Sequence, residues 1–297
     1  MIDNEIIVYQ SKLSDNEIDK ILTLLKIVYP NEKNFNFEYL DWLYRKNPEG
    51  KAISFNASKN GKIISHYAVI PVTYFLFNKK ILGCLSLNTA THPSHLRKGL
   101  FEKLASLTYK QAYLLKNEFI FAITNKVSTP GFLKKLQFQL IGSLDVPFIL
   151  QIKKLRNKEN KVRKNHRPKL NFYKNWNKEN LQWRLSRPNN EYTYTKTENY
   201  KLFSKTHISY VKVCIHEINL DKQLTSVIEK KVNRGNDSFI SFFMKIGISK
   251  NYNNRFFNLP KKLRPSPLNL VFRDLTGGNR YLKKEDVELS VLDFDAY

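Results

Sequence analysis

A chain of 297 residues with 42% hydrophobic side chains has enough length for two domains and enough apolar material for a sizeable core, which excludes wholesale disorder. No apolar run approaches the ~20 residues of a membrane-spanning helix, and the acidic start Met1-Ile2-Asp3-Asn4-Glu5 lacks the basic-then-apolar order of a secretion signal, so the expected location is cytoplasmic. The 50 Lys+Arg against 26 Asp+Glu leave a net charge of +24. Such a charge attracts polyanions at long range, although a Lys-, Asn- and Ile-rich composition is also what codon bias alone produces.

In chain order, residues 5–9 read as a strand. Ser14 and Glu17 form a capping box for a helix with Ile18, Ile21, Leu22 and Leu25 at helical spacing. A second helix spans 37–45 and stops at Asn47-Pro48. Strands over 52–57 and 63–72 are joined by a turn at Asn60-Gly61, and a further pair, 73–77 and 81–88, brackets Asn78-Lys79-Lys80. A helix starts near Gly99 with Leu100, Leu104, Leu107 and Leu114 on one face. A strand over 119–124, a short helix over 130–136 and a strand over 140–152 close this half. Cys84 and Cys214 both lie in apolar strand-like runs and read as small buried hydrophobes, so neither a disulfide nor a metal is expected.

From 153 to 174 Lys and Arg dominate and apolar residues thin out, as in a solvated linker. The second half then echoes the first. Tyr39-Leu40-Asp41-Trp42 is followed by Pro48, and Asn180-Leu181-Gln182-Trp183 by Pro188. A strand over 208–215, a helix carrying Leu224, Val227, Ile228 and Val232, and an apolar strand over 239–246 repeat the strand–helix–strand order around Gly99. The ending, 287–297, alternates acidic and apolar residues like an edge or closing strand, with Asp293 and Asp295 read as exposed surface, or else as carboxylates that could bind an amine. The fold class is therefore α/β with mixed sheets, in tandem units over 1–152 and 177–297 joined by a basic linker, 153–176.

The chemistry concentrates in Ser86-Leu87-Asn88-Thr89-Ala90-Thr91-His92-Pro93-Ser94-His95-Leu96-Arg97-Lys98-Gly99-Leu100-Phe101. A strand ends, a loop with two basic residues and a glycine follows, and an amphipathic helix begins. This order puts unpaired backbone N–H groups and the positive end of a helix dipole beside Arg97 and Lys98, which suits a pyrophosphate. Gly99 lets a ligand approach the backbone without a Cβ between them. A surface strand-to-helix turn would use the same residues.

This run resembles the acyl-CoA-binding motif of the GNAT acyltransferases, in which Arg/Gln-x-x-Gly-x-Gly/Ala precedes a helix. With Gly99 on the central glycine, Leu96 and Phe101 depart from the pattern at its first and last positions. The run Ala122-Ile123-Thr124-Asn125 through Phe132-Leu133-Lys134-Lys135-Leu136-Gln137-Phe138 looks like the family's later strand, short helix and Lys-Leu-Gly-Phe corner, with Gln137 in place of Gly. The resemblance covers roughly residues 1–152. It implies a GNAT-like fold whose splayed strands admit the pantetheine arm. Backbone groups at Leu87, Asn88, Thr89 and Thr91 would pair with the arm, and the N–H groups of Leu96, Arg97, Lys98, Gly99, Leu100 and Phe101 would hold the pyrophosphate.

The implied reaction is attack of a primary amine on the thioester of acetyl-CoA or another acyl-CoA, without a metal. Candidate bases are His92 at the strand end, His66 and Glu102; Asn125 is a candidate for orienting the acyl carbonyl or a water. Each has a structural alternative: His92 as a turn residue before Pro93, His66 as a strand residue, Asn125 as a strand-end cap. The position where many members carry an acidic Tyr holds Leu133. In the second half His216-Glu217-Ile218-Asn219-Leu220-Asp221 stands where the phosphate loop would be, so that half is expected to have lost the cofactor and to shape the acceptor site. The acceptor would be a small amine, an amino sugar or a glycan precursor. A rival in the same fold is an aminoacyl-tRNA-dependent transferase of the peptidoglycan type, which would use the charge on tRNA; another is a non-catalytic polyanion-binding protein. No RNA- or DNA-binding motif with spaced aromatics is present, so no specific nucleic-acid partner is expected, while an anionic membrane surface or other polyanion stays open.

Overall fold

A computed structural model of the chain describes residues 5–152, 170–196, 200–208, 211–218, 222–235, 240–249, 257–258 and 268–294. Of the basic linker expected over 153–176, residues 153–169 lie outside them, as do Asp221 and Asp295; the described 170–176 are not a solvated linker, since Phe172 is fully buried and Lys174 pairs with Glu49 at 2.8 Å.

The chain starts with β1 (Ile7–Gln10) and α1 (Asp15–Val28). The Ser14 side chain accepts from Glu17 N and Glu17 reaches back to the Ser14 backbone, so the expected capping box is formed. Ile18, Ile21, Leu24 and Leu25 face the core, each contributing about 1.5–3 kcal/mol if fully withdrawn from water. Next comes α2 (Phe37–Arg45), started by Asn36, whose side chain accepts from Tyr39 N. Strands β2 (Ile53–Lys59), β3 (Lys62–Leu76) and β4 (Lys79–Thr91) form an antiparallel meander. The pairs expected over 63–72 and 73–77 are one strand of 15 residues. Pro71 sits within it, and its carbonyl accepts from Asn47 Nδ2 at 2.8 Å.

After β4 come α3 (Leu100–Leu114), β5 (Phe119–Thr124), α4 (Thr129–Lys134), β6 (Gln139–Ser143) and β7 (Pro147–Ile152). On α3, Leu100 and Leu104 are buried as expected, whereas Leu114 at the last turn is 61% exposed. The single strand expected over 140–152 is two strands in different sheets, because Pro147 cannot donate to a ladder and can only begin a new one.

The second half runs β8 (Phe172–Tyr173), α5 (Lys178–Leu185), β9 (Tyr192–Lys196), β10 (Tyr200–Ile208), β11 (Val211–Ile218), α6 (Lys222–Lys231), β12 (Asn233–Arg234), β13 (Ile240–Lys245), β14 (Gly247–Ile248), β15 (Phe257–Asn258), β16 (Asn269–Asp274), β17 (Leu289–Ser290) and α7 (Val291–Phe294). The closing strand expected over 287–297 is instead the short β17 followed by a helical turn. Asp293 is 5% exposed, not a surface residue. Its carboxylate accepts from Ser290 N and Oγ, each at 2.7 Å, and from Tyr74 Oη at 3.1 Å. Ser290-Val291-Leu292-Asp293 has the spacing of a capping box, and that local bonding overrides the strand-like alternation.

Two sheets repeat one plan. The first has the order β1-β2-β3-β4-β5-β16-β6, with β8 added to β3; the second has the order β12-β9-β10-β11-β13-β7-β15. In each, an antiparallel meander leads to a strand that pairs parallel with the next through a helical crossover, β4–α3–β5 and β11–α6–β13. In each, the following antiparallel strand is borrowed. β16 of the second half lies between β5 and β6, and β7 of the first half lies between β13 and β15. This reciprocal exchange crosses the expected division of 1–152 from 177–297.

The helices α2 and α5 repeat at a spacing of 141 residues. Asn177 caps α5 through Asn180 N as Asn36 caps α2. Trp42 and Trp183 stack at 4.8 Å, and each indole N–H donates to the other's carbonyl, at 3.0 and 3.2 Å. Equivalent residues meeting reciprocally are what a two-fold relation between duplicated units produces. On β3, Ala68, Ile70, Val72 and Tyr74 pack with α1, α2 and α5, while Tyr67 and Val69 pack with α3 on the other face.

Candidate functional site

The parallel pairing of β4 with β5 covers only Cys84–Ile120, Leu85–Phe121 and Ser86–Ala122. Beyond it β5 keeps only β16, which pairs with it from Phe119 to Thr124 on its other edge, while β4 continues along β3 to Thr91. Leu87 to Thr91 thus lose the β5 partner on one edge, and a fork opens between the two strands. Leu87, Asn88, Thr89 and Thr91 are half-buried and lie along this edge.

A β-bulge marks the fork. Between the pairs His66–Ala90 and Ala68–Leu87, β3 carries one residue, Tyr67, and β4 carries two, Asn88 and Thr89. Asn88 has φ +51°, a left-handed angle that asparagine tolerates better than most residues.

The loop from His92 to Gly99 leaves β4 at the mouth of the fork. Its first turn is a 3₁₀ turn over Pro93–His95 with Pro93 at its start. His92 N donates to Ile64 O at 2.8 Å, which ties the loop to β3. Arg97 and Gly99 have φ +61° and +70°. These two left-handed residues turn the chain into α3, and no side chain caps that helix. Leu96, Arg97, Lys98 and Gly99 are exposed, Phe101 is half-buried and Leu100 is buried. A Cβ on Gly99 would meet no protein atom within 4 Å, so the space in front of its backbone is open. Lys98 Nζ lies 3.3 Å from His95 Nδ1. Desolvation, then Lys98, His92 and Lys59, hold His95 below the ordinary histidine value, a sign of a locally positive surface. An uncapped helix start, open space before a glycine and converging cations fit a phosphate-bearing ligand.

The candidate catalytic side chains fare differently. His92 acts within its own turn: Nδ1 faces Ser94 Oγ at 2.7 Å and accepts from Ser94 N at 3.3 Å. Asn125 is exposed, and its Oδ1 accepts from Val127 N at 3.0 Å, Ser128 N at 2.9 Å and Ser128 Oγ at 3.1 Å. That oxygen is committed to starting α4, the strand-end cap that competes with a catalytic role. Glu102 pairs with Lys135 at 2.6 Å across α3 and α4. Leu133 lies on α4, partly buried and packed, like Phe101, against the core beneath α3.

His66 is fully buried and central. Its Nδ1 lies 2.7 Å from Asn56 Oδ1 and its Nε2 lies 3.0 Å from Tyr44 Oη. Burial pushes His66 down to about 3, which keeps the ring neutral and removes it as a solvent-facing base. Tyr44 Oη in turn accepts from Asn88 Nδ2 at 3.1 Å, and Tyr29 Oη donates to Thr89 O at 2.5 Å. On the opposite face Tyr67 Oη meets Ser86 Oγ at 2.8 Å and Tyr109 Oη at 2.5 Å. Sequence reasoning misses Tyr29, Tyr44 and Asn56, which sit in helical or strand patterns that read as core; the one local signal is a polar Asn56 and His66 within otherwise apolar strands.

Residues 10–138 match the model of the acetyltransferase (GNAT) domain. No curated protein matches the chain. Among solved structures, a GCN5-related N-acetyltransferase from Anabaena variabilis aligns with TM-score 0.58 and 11% identity over 91% of this chain and 73% of that one. A conserved protein of unknown function from Enterococcus faecalis aligns with TM-score 0.58 and 10% identity over the same shares, 91% and 73%. N-myristoyltransferase of Saccharomyces cerevisiae aligns with TM-score 0.55 and 10% identity over 92% of this chain and 81% of that one. At these identities the likeness is one of fold, and it extends over both sheets.

Proposed function

We propose that this chain, a GNAT-superfamily acyltransferase by its residues 10–138, moves an acetyl or other acyl group from acyl-CoA to a primary amine carried by an amino sugar or glycan precursor. The observation that carries the donor half of this reading is the fork between β4 and β5 opening beside the basic loop and uncapped start of α3. The pantetheine arm would lie along Leu87 to Thr91, and the pyrophosphate against the N–H groups between Leu96 and Phe101, with Arg97 and Lys98 supplying charge. The amine nitrogen then attacks the thioester carbonyl; the C–N bond forms, the C–S bond breaks, and the thiolate leaves with the electron pair. Holding both reactants in the fork supplies most of the acceleration in such a site. Among the sequence-derived candidates, His92 accepts from Ser94 N on Nδ1, so its neutral ring carries its proton on Nε2 and would donate it to the departing thiolate, the amine proton passing to water, and Asn125 keeps only its amide N–H2 for the acyl oxygen. The amino-sugar acceptor is supported by the positive balance of 50 Lys+Arg over 26 Asp+Glu, which favours an anionic carrier such as a nucleotide-linked sugar. A cytoplasmic location fits this donor and acceptor; among the described residues no helix is long and apolar enough to cross a membrane.

Calorimetric titration of the protein with acetyl-CoA and, separately, with tRNA tests the reading. Acetyl-CoA should bind, and the double variant Arg97→Glu/Lys98→Glu should bind it at least ~10-fold more weakly at low salt, the difference shrinking as salt screens exposed charges. Tight binding of tRNA with none of acetyl-CoA would favour the aminoacyl-tRNA-dependent alternative and end this one.

A further inference from the structure

The bulge of β4 is held by a chain of buried side chains that reaches it from three separate elements. Asn56 comes from β2, His66 from β3, Tyr44 from α2, and the last member, Asn88, is the bulge residue itself. Asn56, His66 and Tyr44 are each 0% exposed. We propose that Asn56, His66, Tyr44 and Asn88 form a positioning relay that sets the β4 bulge in the conformation to which the pantetheine arm binds. The inference rests on the acyl-CoA reading of the fork and adds to it residues that do not touch the ligand.

The direction of the hydrogen bonds makes the relay specific. Asn56 Oδ1 accepts, so His66 Nδ1 carries its proton and Nε2 is left as an acceptor. The Tyr44 hydroxyl donates to Nε2 at 3.0 Å, and its oxygen accepts from Asn88 Nδ2 at 3.1 Å. The single proton of Tyr44 has an acceptor only in this direction, because Asn88 presents a donor. A neutral His66 is therefore required, and full burial keeps it neutral. Turning the Asn88 carboxamide breaks its bond to the buried Tyr44 oxygen, a cost that holds its side chain and its φ of +51° together. The next residue is pinned as well, since Tyr29 Oη donates to the Thr89 carbonyl. A bulge is otherwise a point where a strand flexes; here both of its residues are clamped from the α1–α2 side.

The test compares acetyl-CoA affinity and thermal stability on the same samples, at a temperature where every variant is folded. Tyr44→Phe keeps the ring and removes the relay's middle hydroxyl; acetyl-CoA should bind roughly five- to ten-fold more weakly, the size expected for one lost buried hydrogen bond. Tyr74→Phe removes another buried hydroxyl of β3, bonded to Asp293 and far from the fork, and should lower Tm without changing affinity. His66→Gln offers an acceptor to Tyr44 and should retain more affinity than His66→Leu. Should Tyr44→Phe fail to fold, Asn88→Gly accepts the same backbone angle, removes the relay's last member from a half-buried position, and should show the same weakening. Wild-type binding with Tyr44→Phe affinity unchanged, or equal losses in His66→Gln and His66→Leu, overturns the relay alone. No binding by the wild-type protein overturns the acyl-CoA reading and the relay with it.

Discussion

In the first unit β4 separates from β5 after Ser86–Ala122 and continues to Thr91; in the second, β11 separates from β13 after Cys214–Lys245 and continues to Ile218. Both forks come from the same parallel crossover, so the fork belongs to the fold. What lies beside it differs. The first opens on an exposed basic loop and an uncapped helix start. Past the second, β14 continues from β13 and pairs with β17, and α7 packs on β11. Val291, Leu292 and Phe294 share one core with Ile215, Ile246 and Ile248. The C-terminal turn sets apolar side chains against β11, whereas the first fork is flanked by exposed basic residues.

The glycines of the two forks break this comparison most forcefully. A Cβ on Gly247 would stand 2.0 Å from the Leu289 carbonyl oxygen, at φ +155°, whereas one on Gly99 would meet nothing within 4 Å. Gly247→Ala should therefore cost several kcal/mol, roughly 3 or more, because backbone rather than a flexible side chain must move. Gly99→Ala should cost only the left-handed strain of ~1–2 kcal/mol. Chemical denaturation of both variants measures the difference; equal losses would mean that the C-terminal turn is not packed tightly on β14.

Acid titration gives the next largest effect, confined to the first unit. His66 is held at about 3 when folded against an ordinary 6.5, so between these values the unfolded chain binds more protons and stability rises with pH. On acidification from about pH 6.5 towards 3 the protein should lose on the order of a few kcal/mol from this group. Melting curves across that range should fall more steeply for the wild type than for His66→Gln. Parallel curves would show that the ring is reached by water.

The smallest effect separates stability from binding at the loop. Arg97 holds a left-handed φ of +61° that glycine adopts without strain. Arg97→Gly should leave stability unchanged or raise it by up to ~1 kcal/mol while weakening acetyl-CoA at low salt. Paired Tm and affinity measurements decide it, and a loss of both would make Arg97 a structural residue of the turn.

What the sequence by itself determines is local. Ser14 and Glu17 cap a helix because the bonded groups are three residues apart, and Asn36 and Asn177 do the same at equivalent places of the two halves. The phosphate-loop candidate, Arg97 to Gly99, is legible for the same reason: its chemistry comes from consecutive backbone groups. The tandem arrangement is visible in the repeated Leu-x-Trp helices. Tertiary structure alone decides the rest. Alternation along 140–152 cannot reveal that β6 and β7 pair with different sheets, since both have strand-like neighbours on either side. The acidic–apolar ending reads as a strand until Ser290 and Tyr74 take up Asp293. Asn125 shows the limit at the site itself, where a capping turn claims the oxygen that a catalytic role would use. The clamp on the bulge draws Tyr29, Tyr44, Asn56 and His66 from four elements, and a hydrogen bond between residues so far apart in the chain exists only once packing has brought them together.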